Sequence, residues 1–282
     1  MTNFPTNKPH ISYSEVRTWK ECSWRHKLQQ IDKIDTFEVS PFLDYGTIVH
    51  EACEHFLKTR ELDLEKMAAS IRQAWEKRGY DSDEYINKQK LIAEAKGNKP
   101  WPHNYVDSWV EWATNAISDL PAFMDKAFPG WEYVAAEQEL YEAIPNDDLN
   151  FKGFIDGIIK TPTPRGGWRG WIIDWKTAPK WGWHANKKRD VLVTSQLALY
   201  KNYWVRKYNV NPKDIHCGFV LLKRDAPPGQ TCELVKVSVG PKAAAKADKL
   251  VANMISSVRR GLFFKNRDSC KYCEFLDTKH CP

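Results

Sequence analysis

Apolar and polar positions alternate most clearly between Lys152 and Lys176, in KGFIDGIIKTPTPRGGWRGWIIDWK. Two apolar runs, FIDGIIK and GWIIDWK, flank a turn rich in Pro and Gly, TPTPRGG, and together they predict strand, turn and strand. WEYVAAEQELYEAI ahead of them predicts another strand, with Glu137 and Glu139 alternating with Ala136, Gln138 and Leu140. IHCGFVLLKR and TCELVKVSV predict two more after them. DVLVTSQLALYKNYWVRKYN reads as a helix ending near Asn209, before Pro212. PKAAAKADKLVANMISSVRRG reads as a helix from Pro241 to a stop at Gly261.

The earlier half is patterned differently. Ser12 and Glu15 have capping-box spacing at the head of ISYSEVRTWKECSWRHKLQQI, a helix-like stretch carrying Cys22. Gly46 is expected to open the next helix, in DYGTIVHEACEHFLKTR, whose apolar stripe is Ile48, Val49, Ala52, Cys53 and Phe56. His50 and Glu54, four apart, share another face, and the plain reading is that one satisfies the other. Residues 63–79 read as a third helix. Residues 81–100 read as a polar helix and a loop ending in GNKPWP, and His103 to Phe128 as a long aromatic helix. Helices, three strands, a helix, two strands and a helix predict an α/β fold: a central sheet flanked by helices, preceded by a helical region.

Composition narrows the class. A chain of 282 residues with 42% hydrophobic and 13% aromatic residues can bury a sizeable core and is not a disordered tail. The net charge of +6 and pI of about 8.8 suit a polyanionic partner. Thirteen tryptophans, many beside Lys, Arg, Pro or Gly as in KPWPH, GGWRGW and APKWGWHANKKR, are either core residues or platforms for bases. No apolar run is long enough to span a membrane and no signal peptide is visible, so a cytoplasmic, reducing setting is expected. There, seven cysteines argue for metal or cluster ligands over disulfides.

Two places carry candidate chemistry. In the hairpin, Asp156 and Asp174 stand in apolar surroundings, and Lys176 lies two residues past Asp174, on the same strand face. Two carboxylates and a lysine at one sheet edge could hold Mg²⁺ or Mn²⁺, polarise a phosphodiester and steady developing negative charge. In the tail, Cys270 and Cys273 form a CxxC, and Cys281 follows after seven residues. Three thiolates need a fourth ligand: Cys22, outside the strands, is the first candidate and His280 the second. Such a site would hold Zn²⁺ or an iron–sulfur cluster and staple the two ends of the chain together. Cys53, Cys217 and Cys232 sit in apolar periodic segments and read as core. The stretch Lys180, Trp181, Trp183, His184, Lys187, Lys188 and Arg189 reads as a basic, aromatic loop able to grip a single strand.

Taken in order, these residues resemble the PD-(D/E)XK nuclease superfamily, most closely its RecB-type domains of the AddB-like and CRISPR-associated iron–sulfur kind. GTIVH resembles the G-x-x-x-H motif, which implies His50 as a metal ligand; EQEL resembles the acidic strand, with Glu137 the likelier match. GFIDGI resembles GxxD, implying the ligand Asp156, and IIDWKT resembles DxK, implying the ligand Asp174 and the catalytic lysine Lys176. The Trp175 carbonyl would add a further ligand. QLALY resembles QxxxY, implying Gln196 and Tyr200. Cys22 with Cys270, Cys273 and Cys281 resembles the family's four-cysteine [4Fe–4S] arrangement, structural Zn²⁺ being the alternative. No proline precedes Asp156, and no helicase segment is present.

The resemblance implies a restriction-endonuclease-like core in a single nuclease domain over 1–282. Within it, 10–130 would be mainly helical, 131–260 would form the catalytic sheet and its helices, and 262–282 with Cys22 would bind the cluster. It implies a Mg²⁺- or Mn²⁺-dependent deoxyribonuclease, an exonuclease on single-stranded or duplex DNA ends in recombination, repair or phage DNA processing. A recombination or CRISPR-adaptation protein would be its partner. The alternatives are a catalytically silent DNA-end-binding or assembly subunit of the same fold, and a zinc-stapled module with no nuclease role.

Overall fold

A computed structural model describes residues 4–36, 39–95 and 105–282, the side chain of Tyr272 excepted. The loop expected at GNKPWP, Trp101 and the start of the helix expected at His103 lie outside the described residues. The hairpin is β3 (Asn150–Pro162) and β4 (Trp168–Ala178), antiparallel from Pro162↔Trp168 to Gly157↔Ile173. Gly166 and Gly167 close its turn at φ of +75° and +102°, where side chains with a Cβ are rarely tolerated. β2 (Glu132–Ala143) pairs antiparallel along the other edge of β3. β5 (Ile215–Lys223) runs parallel to β4, and β6 (Cys232–Val237) antiparallel to β5. A sixth strand, β1 (His10–Ser12), lies parallel to the start of β3. Three residues are too few to show alternation, so the sequence pattern passes over it. The result is a central mixed sheet flanked by helices.

The alternation of β4 sends Ile172 to one core and Ile173 to the other. On the first face α1 (Tyr13–Glu21), α8 (Val191–Tyr208) and α9 (Pro241–Arg259) cover Phe151, Ile155, Ile172 and Phe219. The crossover between parallel β4 and β5 also contains a short helix, α7 (Ala185–Arg189), where the pattern gives only a loop. The second face is covered by α3 (Pro41–Thr59), α4 (Leu64–Arg78) and α6 (Val106–Ala127), which bury Val49, Trp75 and Trp109 against Ile173 and Trp175. The polar α5 (Asp83–Ala95) buries no residue. Among the described residues no helix is long and apolar enough to cross a membrane.

Two helix boundaries differ from the pattern. α3 starts at Pro41, whose ring pre-sets the first turn, so Gly46 lies inside the helix and does not open it. The first helix-like stretch is broken at Cys22, which is extended (φ −159°, ψ 109°) between α1 and α2 (Ser23–His26). The break is held from the far end of the chain. Phe264 donates its N–H to Ser23 Oγ at 2.7 Å, and Asn266 donates to Cys22 Sγ at 3.4 Å. A five-residue π-helical turn, Lys27–Ile31, follows. Half of the expected capping box forms: Glu15 donates its N–H to Ser12 Oγ at 3.3 Å, but the Glu15 carboxylate turns inward to His26 Nε2, 3.1 Å away.

Candidate active site

The ladder between β3 and β4 stops at Gly157↔Ile173, and β1 takes up the same edge of β3 only at Asn150–Lys152. Gly153–Asp156 therefore have no strand beside them on that edge among the described residues. Asp156 stands at this opening, and its Oδ2 accepts the Trp175 N–H at 2.8 Å, a carboxylate replacing the next rung of the ladder. Asp174, only 1% exposed, and Lys176 come from β4, with Lys176 Nζ 2.5 Å from Asp174 Oδ2.

Both faces of the sheet supply residues to the opening. From α8, Gln196 Nε2 donates to Asp174 Oδ1 at 2.7 Å and lies 3.3 Å from the Tyr200 hydroxyl. From α3, His50 Nδ1 comes within 3.5 Å of Asp156 Oδ2. Glu54 does not serve His50; it pairs with Lys58. The glycines of GFIDG have steric reasons. A Cβ on Gly153 would stand 2.7 Å from Tyr200 Cε1, and one on Gly157 would stand 2.7 Å from Leu57 Cδ1, so both neighbours need bare backbone.

The electrostatics follow from burial of like charges. Burial, with Asp174 adding to it, lifts the proton affinity of Asp156 well above the ordinary carboxylate range against the opposition of Lys176. Asp174 is raised by burial too, again opposed by Lys176. Burial would lower Lys176, but the two aspartates outweigh it and hold the ammonium protonated. His50 is pushed down to about 4 by burial and then by Lys176, so its imidazole is neutral and its lone pair is available to a metal. Burial, then Asp174, raises Tyr200.

Glu137 joins this group at a cost. It lies opposite Asp156, between the pairs Ala136↔Gly157 and Gln138↔Ile155, with φ of +48°, a left-handed conformation in mid-strand. Its carboxyl is raised by burial and then by Glu54, and its charge in turn raises Asp156.

Two carboxylates, a neutral imidazole and the Trp175 backbone carbonyl are donors of the type Mg²⁺ and Mn²⁺ accept. Among the described residues no group of three or more His, Cys, Asp or Glu already stands in metal-holding geometry.

Arg17 and Tyr13 on α1 lie outside the motifs named from the sequence. The Tyr13 hydroxyl donates to the Leu192 carbonyl of α8 at 2.6 Å, and Arg17 is close enough to Lys176 and Lys187 to act on their charges. The signal available in the chain was the four-residue spacing of Tyr13, Arg17 and Glu21 on one helix face.

The basic segment after β4 is divided. Trp181 is 81% exposed and lies under Lys180, which also pairs with Asp225 at 3.4 Å. Trp183 is buried against Phe219, with Lys187 4.5 Å from its ring centroid, so it forms the floor of the segment. Lys188 is tied to Glu233, and Arg189 ends α7, exposed.

Cys22, Cys270, Cys273 and Cys281 lie where the N-terminal break meets the tail, but among the described residues they do not stand in metal-holding geometry. Cys270 Sγ lies 3.8 Å from the carbonyl of Asn266, whose N–H meets Cys22 Sγ, and Cys273 N–H donates to Cys270 O at 2.9 Å. Cys281 and Cys273 pack with Leu28 and Phe275 in a small separate core. Trp24 Nε1 donates to the His280 carbonyl at 3.2 Å. Cys53 and Cys217 are buried in the main cores, and Cys232 packs against the second.

The family model described as the PD-(D/E)XK nuclease superfamily matches residues 10–278. The crystal structure of a candidate exonuclease from Eubacterium rectale is 13% identical, covers 95% of this chain and 86% of its own, and superposes with a TM-score of 0.52. At that identity the likeness shows the fold alone. The structure of SSO0001 is 14% identical, covering 81% of this chain and 92% of its own, with a TM-score of 0.34, too low to argue from. No curated protein matches the sequence.

Proposed function

The chain belongs to the PD-(D/E)XK nuclease superfamily, and from that premise we propose that it hydrolyses phosphodiester bonds of DNA with Mg²⁺ or Mn²⁺. We read it as a RecB-type exonuclease working on DNA ends, in recombination, repair or phage DNA processing, as a single nuclease domain in the cytoplasm. The observation that carries the reading is the meeting of Asp156, Asp174 and Lys176 where β3 and β4 part.

His50, Asp156, Asp174 and the Trp175 carbonyl would hold the cation. When bound, it supplies Lewis-acid polarisation of the phosphate and a water of lowered pKa. The protein does the rest. Lys176, kept as an ammonium by the two aspartates, faces the charge that builds on the phosphate during attack. Gln196 fixes the rotation of the Asp174 carboxylate, and Tyr200 backs Gln196. Glu137, with a raised carboxyl beside Asp156, is placed to exchange a proton with water. Exposed Trp181 with Lys180, Lys187, Lys188 and Arg189 forms the DNA-facing rim, a base stacking on Trp181. Cys22, Cys270, Cys273 and Cys281 would hold a [4Fe–4S] cluster, or Zn²⁺ in its place; the gathering of Cys22 and Cys270 around Asn266 supports this. The cluster would fasten the N-terminal break to the tail. A recombination or CRISPR-adaptation protein is the partner class this reading admits.

The test is cleavage of end-labelled linear and closed circular DNA with Mg²⁺ or Mn²⁺, using anaerobically purified protein with Lys176→Ala beside it. Degradation of linear DNA alone, lost in the variant while DNA binding persists, is the expected result. No cleavage with either metal on either DNA form would overturn the reading in favour of a silent DNA-binding subunit.

A further inference from the structure

The opening between β3 and β4 and its candidate metal donors do not account for Arg17. α1 is pinned to the start of α8 by the Tyr13 hydroxyl on the Leu192 carbonyl, at 2.6 Å. Arg17 follows one turn later on the same face and Glu21 one turn after that. Glu21 Oε1 takes Arg17 Nε at 2.8 Å. The two terminal guanidinium nitrogens have no hydrogen-bond partner among the described residues, and the side chain is 52% exposed. Glu21 is itself steadied by Arg25, 3.6 Å from its other oxygen, and Arg25 Nη2 is 2.8 Å from Glu274 Oε2. Arg17 is thus aimed from behind with its donor pair left open.

β1 leaves the edge of β3 at Ser12↔Lys152, next to the unpaired Gly153–Asp156, and α1 begins at the following residue, so Tyr13 and Arg17 stand at the rim of the opening; Lys187, from α7, caps the Trp183 ring on the neighbouring segment. Lys176 is answered by Asp174 and Lys187 rests over the Trp183 ring, but neither group answers the free end of Arg17. A rim of like charge with an unfilled guanidinium fork is complementary to a phosphate, which the fork can bind with two parallel hydrogen bonds.

We propose that Arg17 is a substrate-positioning residue whose guanidinium binds a DNA phosphate next to the one attacked, with Glu21 setting its orientation. This rests on the nuclease reading of the opening and names the contact that fixes the strand within it.

The test uses the full chain and fluorescein-labelled single-stranded and duplex oligonucleotides. Binding is measured over a salt series with Ca²⁺ present and Mg²⁺ and Mn²⁺ absent, and cleavage kinetics separately with Mn²⁺. Arg17→Ala should weaken binding by about tenfold or more and reduce the slope of log affinity against log salt by about 1. It should raise KM more than it lowers kcat, with thermal unfolding unchanged. Arg17→Lys should restore the salt slope without the full affinity, because an ammonium keeps the charge and loses the fork. Glu21→Gln should give a smaller rise in KM. A wild-type protein that cleaves DNA while Arg17→Ala binds with unchanged affinity and salt slope overturns this proposal alone. Lowered thermal stability with an unchanged slope does the same, since it marks a structural ion pair. A wild-type protein that binds DNA through Arg17 and never cleaves it overturns the nuclease reading and leaves the phosphate contact standing.

Discussion

Gly153→Ala places one methyl group where the fold has no room. The added carbon would lie 2.7 Å from Tyr200 Cε1 and 3.3 Å from Phe151 Cε1, the first about 0.7 Å short of ordinary contact. Neither neighbour can yield cheaply. Tyr200 is buried, Phe151 is stacked on Tyr203 at 4.5 Å, and β3 is paired with β2 along its other edge. Overpacking of this kind costs about 1–3 kcal/mol, which for a chain of this size lowers Tm by roughly 2–5 °C. The displacement also propagates. The Tyr200 hydroxyl lies 3.3 Å from Gln196 Nε2, and Gln196 holds Asp174 at 2.7 Å. A shift approaching 1 Å at a reacting centre can cost about 100-fold in rate, so a fall in kcat between about tenfold and 100-fold is expected. Thermal unfolding by circular dichroism and initial rates on end-labelled DNA measure the two effects. Gly46→Ala is the control, because its Cβ would meet only Thr177 Oγ1, at 3.8 Å inside a helix, and about 0.5–1 kcal/mol of added stability is expected. Wild-type Tm and wild-type rate in Gly153→Ala would refute the claim that this glycine exists to admit Tyr200.

Three further outcomes are expected. Glu137→Gly should relieve a left-handed conformation that costs about 1–2 kcal/mol for a residue with a Cβ, raising Tm while lowering cleavage; a Tm that falls would show no strain is stored there. Asp147 accepts from Arg259 at 2.6 and 2.9 Å. Burial alone would raise its carboxyl, but these bonds pull it below the ordinary range. A lowered folded value means stability that is present above the unfolded value of about 3.9 and is lost as pH falls through the folded one. Tm should therefore drop below about pH 4 more steeply in the wild type than in Asp147→Asn, and parallel curves would rule this out. Cys281→Ala should lower thermal stability more than it changes the rate per folded molecule. In anaerobic protein, loss of visible iron–sulfur absorption, or of stoichiometric zinc, should accompany it, and unfolding identical to wild type would sink the staple.

The sequence by itself determined most of the frame. Strands of period two and helices of period 3.6 bury their apolar positions whatever lies far away, so the β3–β4 hairpin, β2, β5, β6, α8 and α9 were legible from local pattern and turn residues. That Asp174 and Lys176 share a face follows from the same period. The sequence also carried motifs in the order of the superfamily whose model matches residues 10–278.

Only the tertiary structure decided what depends on contacts between distant segments. β1 exists because β3 offers it an edge, and Cys22 interrupts a helix because Phe264 and Asn266 return to bond its break. Trp183 became floor while Trp181 stayed exposed, although both sit in one basic run. Glu137 is turned against its backbone preference opposite Asp156, and Arg17 is held by Glu21 on a helix that is pinned to α8 beside the opening. Local pattern fixes which face of an element is apolar. Which partners meet at an opening between strands is set by how the elements pack, and that information is spread over the whole chain.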